Sequence, residues 1–142
     1  MSTGAEARFV DGLCFQVEQD GHRFILDGTG EYGGRDLGPR PKNLLLSALI
    51  GCTGMDVVSV LRKMKVTGYS LRITAEAESS REHPVYFTSI RLRYLFGGED
   101  LPDRKIRKAV ELSQERYCGV TYMLSKSSEI DYEIVCIDED GS

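Results

Sequence analysis

The feature that most constrains this chain is a long apolar stretch that opens at Pro41 and places Leu44, Leu45, Leu46, Ala48, Leu49 and Ile50 on every side of a helix. Proline suits a first helical turn and Val66-Thr67-Gly68 supplies a stop, so the spacing predicts a helix from Pro41 to about Met64, roughly 35 Å long. A helix that is apolar all round must be covered on most sides. It is therefore expected to be the central core helix. Ser47, Cys52, Thr53, Asp56 and Ser59 interrupt the run, and Arg62 and Lys63 follow it. Its apolar length is expected to fall short of a membrane span.

The rest of the chain supplies strands to cover that helix. Three runs of β-formers, Glu6 to Val10, Leu13 to Glu18 and Arg23 to Leu26, are separated by Asp11-Gly12 and Asp20-Gly21, strong hairpin signals that predict an antiparallel meander. Asp27 to Pro39 holds five glycines without the GxxxxGK[ST] pattern of a phosphate cradle and reads as a flexible surface connector. After the helix, Tyr69, Leu71, Ile73, Ala75 and Ala77 alternate with polar residues, and Tyr86 to Phe96 repeats the period of two across a Ser79 to Pro84 turn. Pro102 opens an amphipathic helix in which Ile106, Ala109, Val110, Ser113 and Tyr117 share a face, with Gly119 as its C′ residue. Val120 to Lys126 reads as a short helix, and Ile130, Tyr132, Ile134 and Cys136 mark a final half-exposed strand. The order βββαββααβ defines an α+β fold, expected as a single domain over 1–142.

Composition narrows the partners. The 18 Lys plus Arg against 22 Asp plus Glu leave a net charge of −4, so no positive field is available to hold a phosphate backbone, and nucleic acid is not an expected partner. The first thirty residues contain no apolar run of signal-peptide length, which points to a cytoplasmic protein. Cys14, Cys52, Cys118 and Cys136 show no CxxC or CxxH pair, so a zinc module is not expected. In a reducing compartment each cysteine is then either a small core residue or a reactive thiol. His22 and His83 fall in turns and are assigned no role.

At 100° per residue, Cys52, Asp56 and Ser59 form a polar stripe on the long helix, and a buried, unpaired carboxylate is costly. Asp56 must reach water, a cation or several donors, which places a cleft or an interface beside Cys52. Gly51 and Gly54 flank Cys52 at a cost of about 1 kcal/mol each in a helix interior, so a close approach by another helix or a ligand is expected there. Cys118 is expected at a helix C-terminus, where the dipole disfavours a thiolate, so it suits a partner better than a nucleophile. Cys14 and Cys136 are assigned to packing.

The strings Pro39-Arg40-Pro41-Lys42-Asn43-Leu44-Leu45-Leu46 and Gly51-Cys52-Thr53-Gly54-Met55-Asp56-Val57-Val58, with the later Tyr117-Cys118-Gly119-Val120 and Met123-Leu124, resemble the OsmC/Ohr family over nearly the whole chain. The resemblance implies two antiparallel sheets around long central helices in an intertwined homodimer. It also implies a thiol peroxidase of oxidative-stress defence that reduces organic hydroperoxides, with Cys52 as the peroxidatic and Cys118 as the resolving cysteine. In the peroxidases a glutamate follows the helix-opening proline and pairs with an activating arginine. Here Lys42 stands in its place, so the sequence is closer to the OsmC-like branch, and Arg8, Arg23, Arg35 and Arg40 are the candidate arginines. No metal or organic cofactor is required, but a thiol or dithiol reductant is. Asp56 is expected to orient a cation or to fill a polar gap at the dimer seam. Two other readings stay open: a non-catalytic binding or redox-sensing protein of the same fold, and adventitious metal capture by Cys52, Cys118 and Asp56 in one cleft.

Overall fold

The computed structural model describes residues 1–137, and 138–142 lie outside that description. The chain divides into two compact units, Met1–Leu45 and Leu46–Ser142. The first contains a three-stranded antiparallel meander, β1 (Ala5–Asp11), β2 (Cys14–Gln19) and β3 (His22–Leu26), in the order β1-β2-β3. Both turns use the predicted residues: Asp20 and Gly21 carry φ 53 and 78, the double positive φ of a type I′ turn, and Gly12 carries φ 54. Cys14 and Val17 are buried, so Cys14 is a packing residue as expected.

The glycine-rich segment that follows is organised. Asp27 is buried and accepts hydrogen bonds from the backbone N–H groups of Gly28, Arg35 and Leu37 at 2.7, 3.2 and 3.2 Å. Burial pushes its carboxyl up, but these three donors and the Arg35 charge outweigh burial and hold it below its ordinary value. A side chain at Gly34 would strike the carbonyl of Gly28, and one at Gly38 that of Ile25, so close backbone approach accounts for both glycines.

The predicted long helix is α1 (Pro41–Lys63). Its buried residues Leu49, Thr53, Val57 and Leu61 recur every four positions and make one stripe, while Leu45 and Met55 are 43% and 76% exposed. The chain therefore covers one side of the helix, not most sides. With 23 residues and a mean hydropathy of 2.0 over its best window, α1 is long and apolar enough to cross a membrane by length and composition. Its serines, threonines and glycines are too mildly polar to offset so many aliphatic residues.

The second unit holds β4 (Ser70–Ser79), β5 (Phe87–Gly97) and β6 (Glu129–Ile137) in the order β4-β5-β6. β4 and β5 are antiparallel, but β6 runs parallel to β5, which corrects the expectation of two antiparallel sheets. The reason is the crossover through α2 (Asp103–Leu112), a π-helical turn at Ser113–Tyr117 and α3 (Gly119–Leu124), which carries the chain back before it pairs again. Ile90, Leu92, Tyr94 and Phe96 of β5 face the core with Ile106, Ala109 and Val110 of α2 and the buried stripe of α1. Cys136 is exposed, contrary to its assignment to packing: it lies near the end of an edge strand, beyond the cover that Ile130, Tyr132 and Ile134 find against the core.

The π turn accounts for two further corrections. Its extra residue rotates the helical face, so Tyr117 turns outward, 51% exposed, with the Arg116 guanidinium 5.7 Å from its ring centroid. Gly119 then opens α3 instead of ending the preceding helix.

Leu61 is fully buried on the α1 stripe. Leu61→Ala should lower unfolding free energy by about 2–5 kcal/mol in a denaturant titration, the range for deleting a buried leucine side chain. A change below about 1 kcal/mol would place Leu61 outside the core.

Candidate functional site

The site lies within the second unit. α1 supplies Cys52, Thr53 and Asp56, β5 supplies Tyr94, the π turn supplies Ser113 and Gln114, and Cys118 stands at the start of α3. The sulfurs of Cys52 and Cys118 and a carboxylate oxygen of Asp56 all lie within 4.8 Å of one another. Both cysteines are free, Cys52 and Asp56 are half-buried, and Cys118 is 4% exposed. The three residues singled out from the sequence are thus brought together. Ser59, the last member of the predicted stripe, is exposed and takes no part.

Asp56 is met by a hydroxyl: Ser113 Oγ donates to its Oδ2 at 3.0 Å. That one bond sets the direction of a buried chain. Ser113 has a single proton and spends it on Asp56, so Thr53 Oγ1, 2.7 Å away, donates to Ser113. Tyr94 Oη, 2.6 Å from Thr53 Oγ1, must then donate to Thr53. The amide of Gln114 donates to both Thr53 Oγ1 at 3.1 Å and Tyr94 Oη at 2.8 Å, and its carbonyl accepts from Thr121 Oγ1 at 3.4 Å. Every hydroxyl in this chain is used. Burial pushes the Tyr94 phenol up to about 12 despite its hydrogen bonds with Thr53 and Gln114, so it stays a neutral donor at ordinary pH.

Cys118 has extended backbone, φ −76 and ψ 102, and caps α3: its Sγ accepts from the Thr121 N–H at 3.3 Å. The expected location at a helix C-terminus is therefore replaced by a helix N-cap, because the π turn ends one residue earlier and the chain re-enters a helix at Gly119. The thiol is still held above its ordinary value. Burial is the main cause, the Thr121 bonds oppose it, and the neighbouring Cys52 adds to it. Cys52 is the more accessible sulfur.

Sequence reasoning missed Thr53, Tyr94, Ser113 and Gln114. A signal was present for two of them: Thr53 and Ser113 are polar residues on otherwise apolar helical faces, and a buried hydroxyl requires a partner. The activating arginine is not placed by ion pairing. Arg23, Arg35 and Arg40 pair with Glu18, Asp11 and Asp36 in the first unit, and Arg91, Arg93 and Arg107 with Asp131, Glu133 and Asp103 in the second. Among the described residues, none of these pairs reaches Asp56.

Fold and site define an α+β protein with a half-buried thiol on its long helix and a buried thiol at the cap of α3, their sulfurs within 4.8 Å of each other. The OsmC-like protein family model matches residues 33–133, and the chain belongs to that family. Protein YhfA of Escherichia coli (strain K12) is 37% identical over 134 residues, covering 92% of this chain and 97% of that protein. A hypothetical protein from Aquifex aeolicus VF5 shares the fold with a TM-score of 0.85 at 22% identity, covering 98% of both chains. An organic hydroperoxide resistance protein OsmC from Legionella pneumophila superposes with a TM-score of 0.68 at 16% identity, over 95% of this chain and 97% of that one.

The raised Tyr94 phenol makes a pH prediction. The folded state keeps a proton that an unfolded tyrosine loses near pH 10, so the Tyr94 contribution to stability is complete below about 10 and is lost as pH climbs towards about 12. Denaturant midpoints measured across that window should fall, and the fall should be shallower in Tyr94→Phe. Equal slopes for the two proteins would show that Tyr94 does not titrate with folding.

Proposed function

We propose that this protein is a cysteine-based thiol peroxidase that reduces organic hydroperoxides. The observation that carries the reading is the facing pair of sulfurs, one half-buried and one buried, within 4.8 Å of each other. The Cys52 thiolate attacks the terminal peroxide oxygen, the O–O bond breaks, and the alkoxide leaves and takes a proton as the alcohol. Cys52 is then a sulfenic acid. Cys118 attacks its sulfur, a disulfide forms, and water leaves with the Cys118 proton. A dithiol reductant returns the pair to two thiols. The name of the Legionella pneumophila relative supports this substrate class.

The burial of Cys118 supports the order of events. A thiol held above its ordinary value attacks peroxide slowly, whereas proximity to a newly formed sulfenic acid compensates for low thiolate content. The attacking species is the thiolate, which positive charge nearby favours, and Lys42 stands where the peroxidases carry the glutamate that pairs with an activating arginine. We also propose a cytoplasmic location, a compartment that keeps thiols reduced.

We further propose that the working unit is a homodimer. α1 leaves an open groove of about 590 Å³, lined on the helix by Ile50, Gly51, Gly54, Met55 and Val58. A side chain added at Gly51 would meet nothing within 4 Å, so this glycine is free for the close approach of another chain. Light scattering at micromolar concentration should give twice the chain mass, and a stable folded monomer would end this part of the reading.

Cumene hydroperoxide with dithiothreitol tests the activity. Turnover is expected in the wild type and should fall at least about 100-fold in Cys52→Ser. Cys118→Ser should accumulate a sulfenic acid that a dimedone probe traps at Cys52. Peroxide that oxidises the wild type reversibly to the Cys52–Cys118 disulfide without turnover would point to a redox sensor, and absence of that disulfide at any dose would reject both roles.

A further inference from the structure

The same three residues have a second chemistry that does not involve peroxide. Two sulfurs and one carboxylate oxygen converge from α1 and the start of α3, with all three ligand atoms within 4.8 Å of one another. In a tetrahedral zinc site, bond lengths of about 2.3 Å to sulfur and about 2.0 Å to oxygen put the ligand atoms roughly 3.5–3.8 Å apart. The cluster is within a small side-chain adjustment of that arrangement. Cys52 and Asp56 are one helical turn apart on α1, so the helix already aims both at one point.

We propose that the reduced Cys52–Asp56–Cys118 cluster is a binding site for a thiophilic divalent cation of the Zn²⁺ type. The donor set selects the class: two thiolates favour soft and borderline metals over Mg²⁺ and Ca²⁺, which take all-oxygen shells. The residues around the ligands are those that a metal site needs. Ser113 Oγ donates to Asp56 Oδ2 at 3.0 Å, and the Thr121 N–H donates to Cys118 Sγ at 3.3 Å. Such outer hydrogen bonds fix ligand orientation. Three protein ligands leave a fourth position for water, as in zinc sites that keep an open coordination position.

Binding is coupled to protons: each cysteine ligates as its thiolate, so two thiol protons leave as the cation enters. Metal and peroxide would then compete for the Cys52 sulfur: the loaded cleft is protected from oxidation, and the disulfide releases the metal. Binding itself is measured without peroxide, so its failure and the failure of the peroxidase reading are distinguishable.

The test uses the reduced full-length protein, titrated anaerobically with Zn²⁺ against a chromophoric chelator and with Co²⁺ followed by absorption. One Zn²⁺ per chain is expected, and Co²⁺ should give the sulfur-to-metal charge-transfer band of thiolate ligation. Binding should be lost in Cys52→Ser and in Cys118→Ser, weakened about 10–100-fold in Ser113→Ala, and unchanged in Cys14→Ser and Cys136→Ser. Bound Zn²⁺ should also shield Cys52 from iodoacetamide until a chelator is added. No stoichiometric binding in the wild type would overturn the proposal. So would binding that survives in the Cys52→Ser/Cys118→Ser double variant, or a cobalt complex without the thiolate band.

Discussion

The Thr53 hydroxyl joins three elements at one buried point. It donates to Ser113 on the π turn and accepts from Tyr94 on β5 and from Gln114, so a single side chain of α1 ties the helix to the sheet and to the crossover. Each such bond adds only about 0.5–1.5 kcal/mol net, but leaving one buried partner unsatisfied costs about 1–3 kcal/mol. The geometry is therefore close to all-or-none. Cys52 precedes Thr53 in the helix, so the contact that fixes the rotation of Thr53 into the core also fixes which way Cys52 faces. Ser113 carries the same constraint to Asp56, and the residues after the π turn carry it to Cys118.

The three side chains brought together then decide what the site can do. A carboxylate oxygen and two sulfurs lie within 4.8 Å of one another. The two proposed chemistries use these atoms differently: a peroxidase uses the Cys52 sulfur as its nucleophile, and a thiophilic metal takes both sulfurs as ligands. The two outcomes exclude each other at the level of a single lone pair. The proposed peroxidase and metal-binding roles thus draw on the same pair of reduced thiols.

The first unit obeys the same rule about buried polar groups. Its long loop holds its course because Asp27 is buried and three backbone N–H groups converge on its carboxylate. Read as sequence, the five glycines suggest a flexible connector. In the fold, Gly34 and Gly38 let backbone pass against backbone where no side chain fits. Glycine marks flexibility and tight approach with the same letter, and only the path of the chain separates them.

The sequence by itself determined the elements, because their causes are local. Period-two alternation drew β4, β5 and β6, Asp-Gly steps drew the meander, and proline drew the starts of α1 and α2. It also placed Cys52 and Asp56 one turn apart on a single helix. The motifs around Cys52 and Cys118 carried the family resemblance and, with it, their pairing. Tertiary structure decided what depends on contacts distant in the chain: the parallel course of β6, the exposure of Cys136 and Tyr117, and the meeting of Thr53 with Tyr94, Ser113 and Gln114. It also decided that Cys118 caps a helix instead of ending one. A π turn adds one residue to a helical ladder with no mark in the hydrophobic period, so its effect on Cys118 is written only in three dimensions.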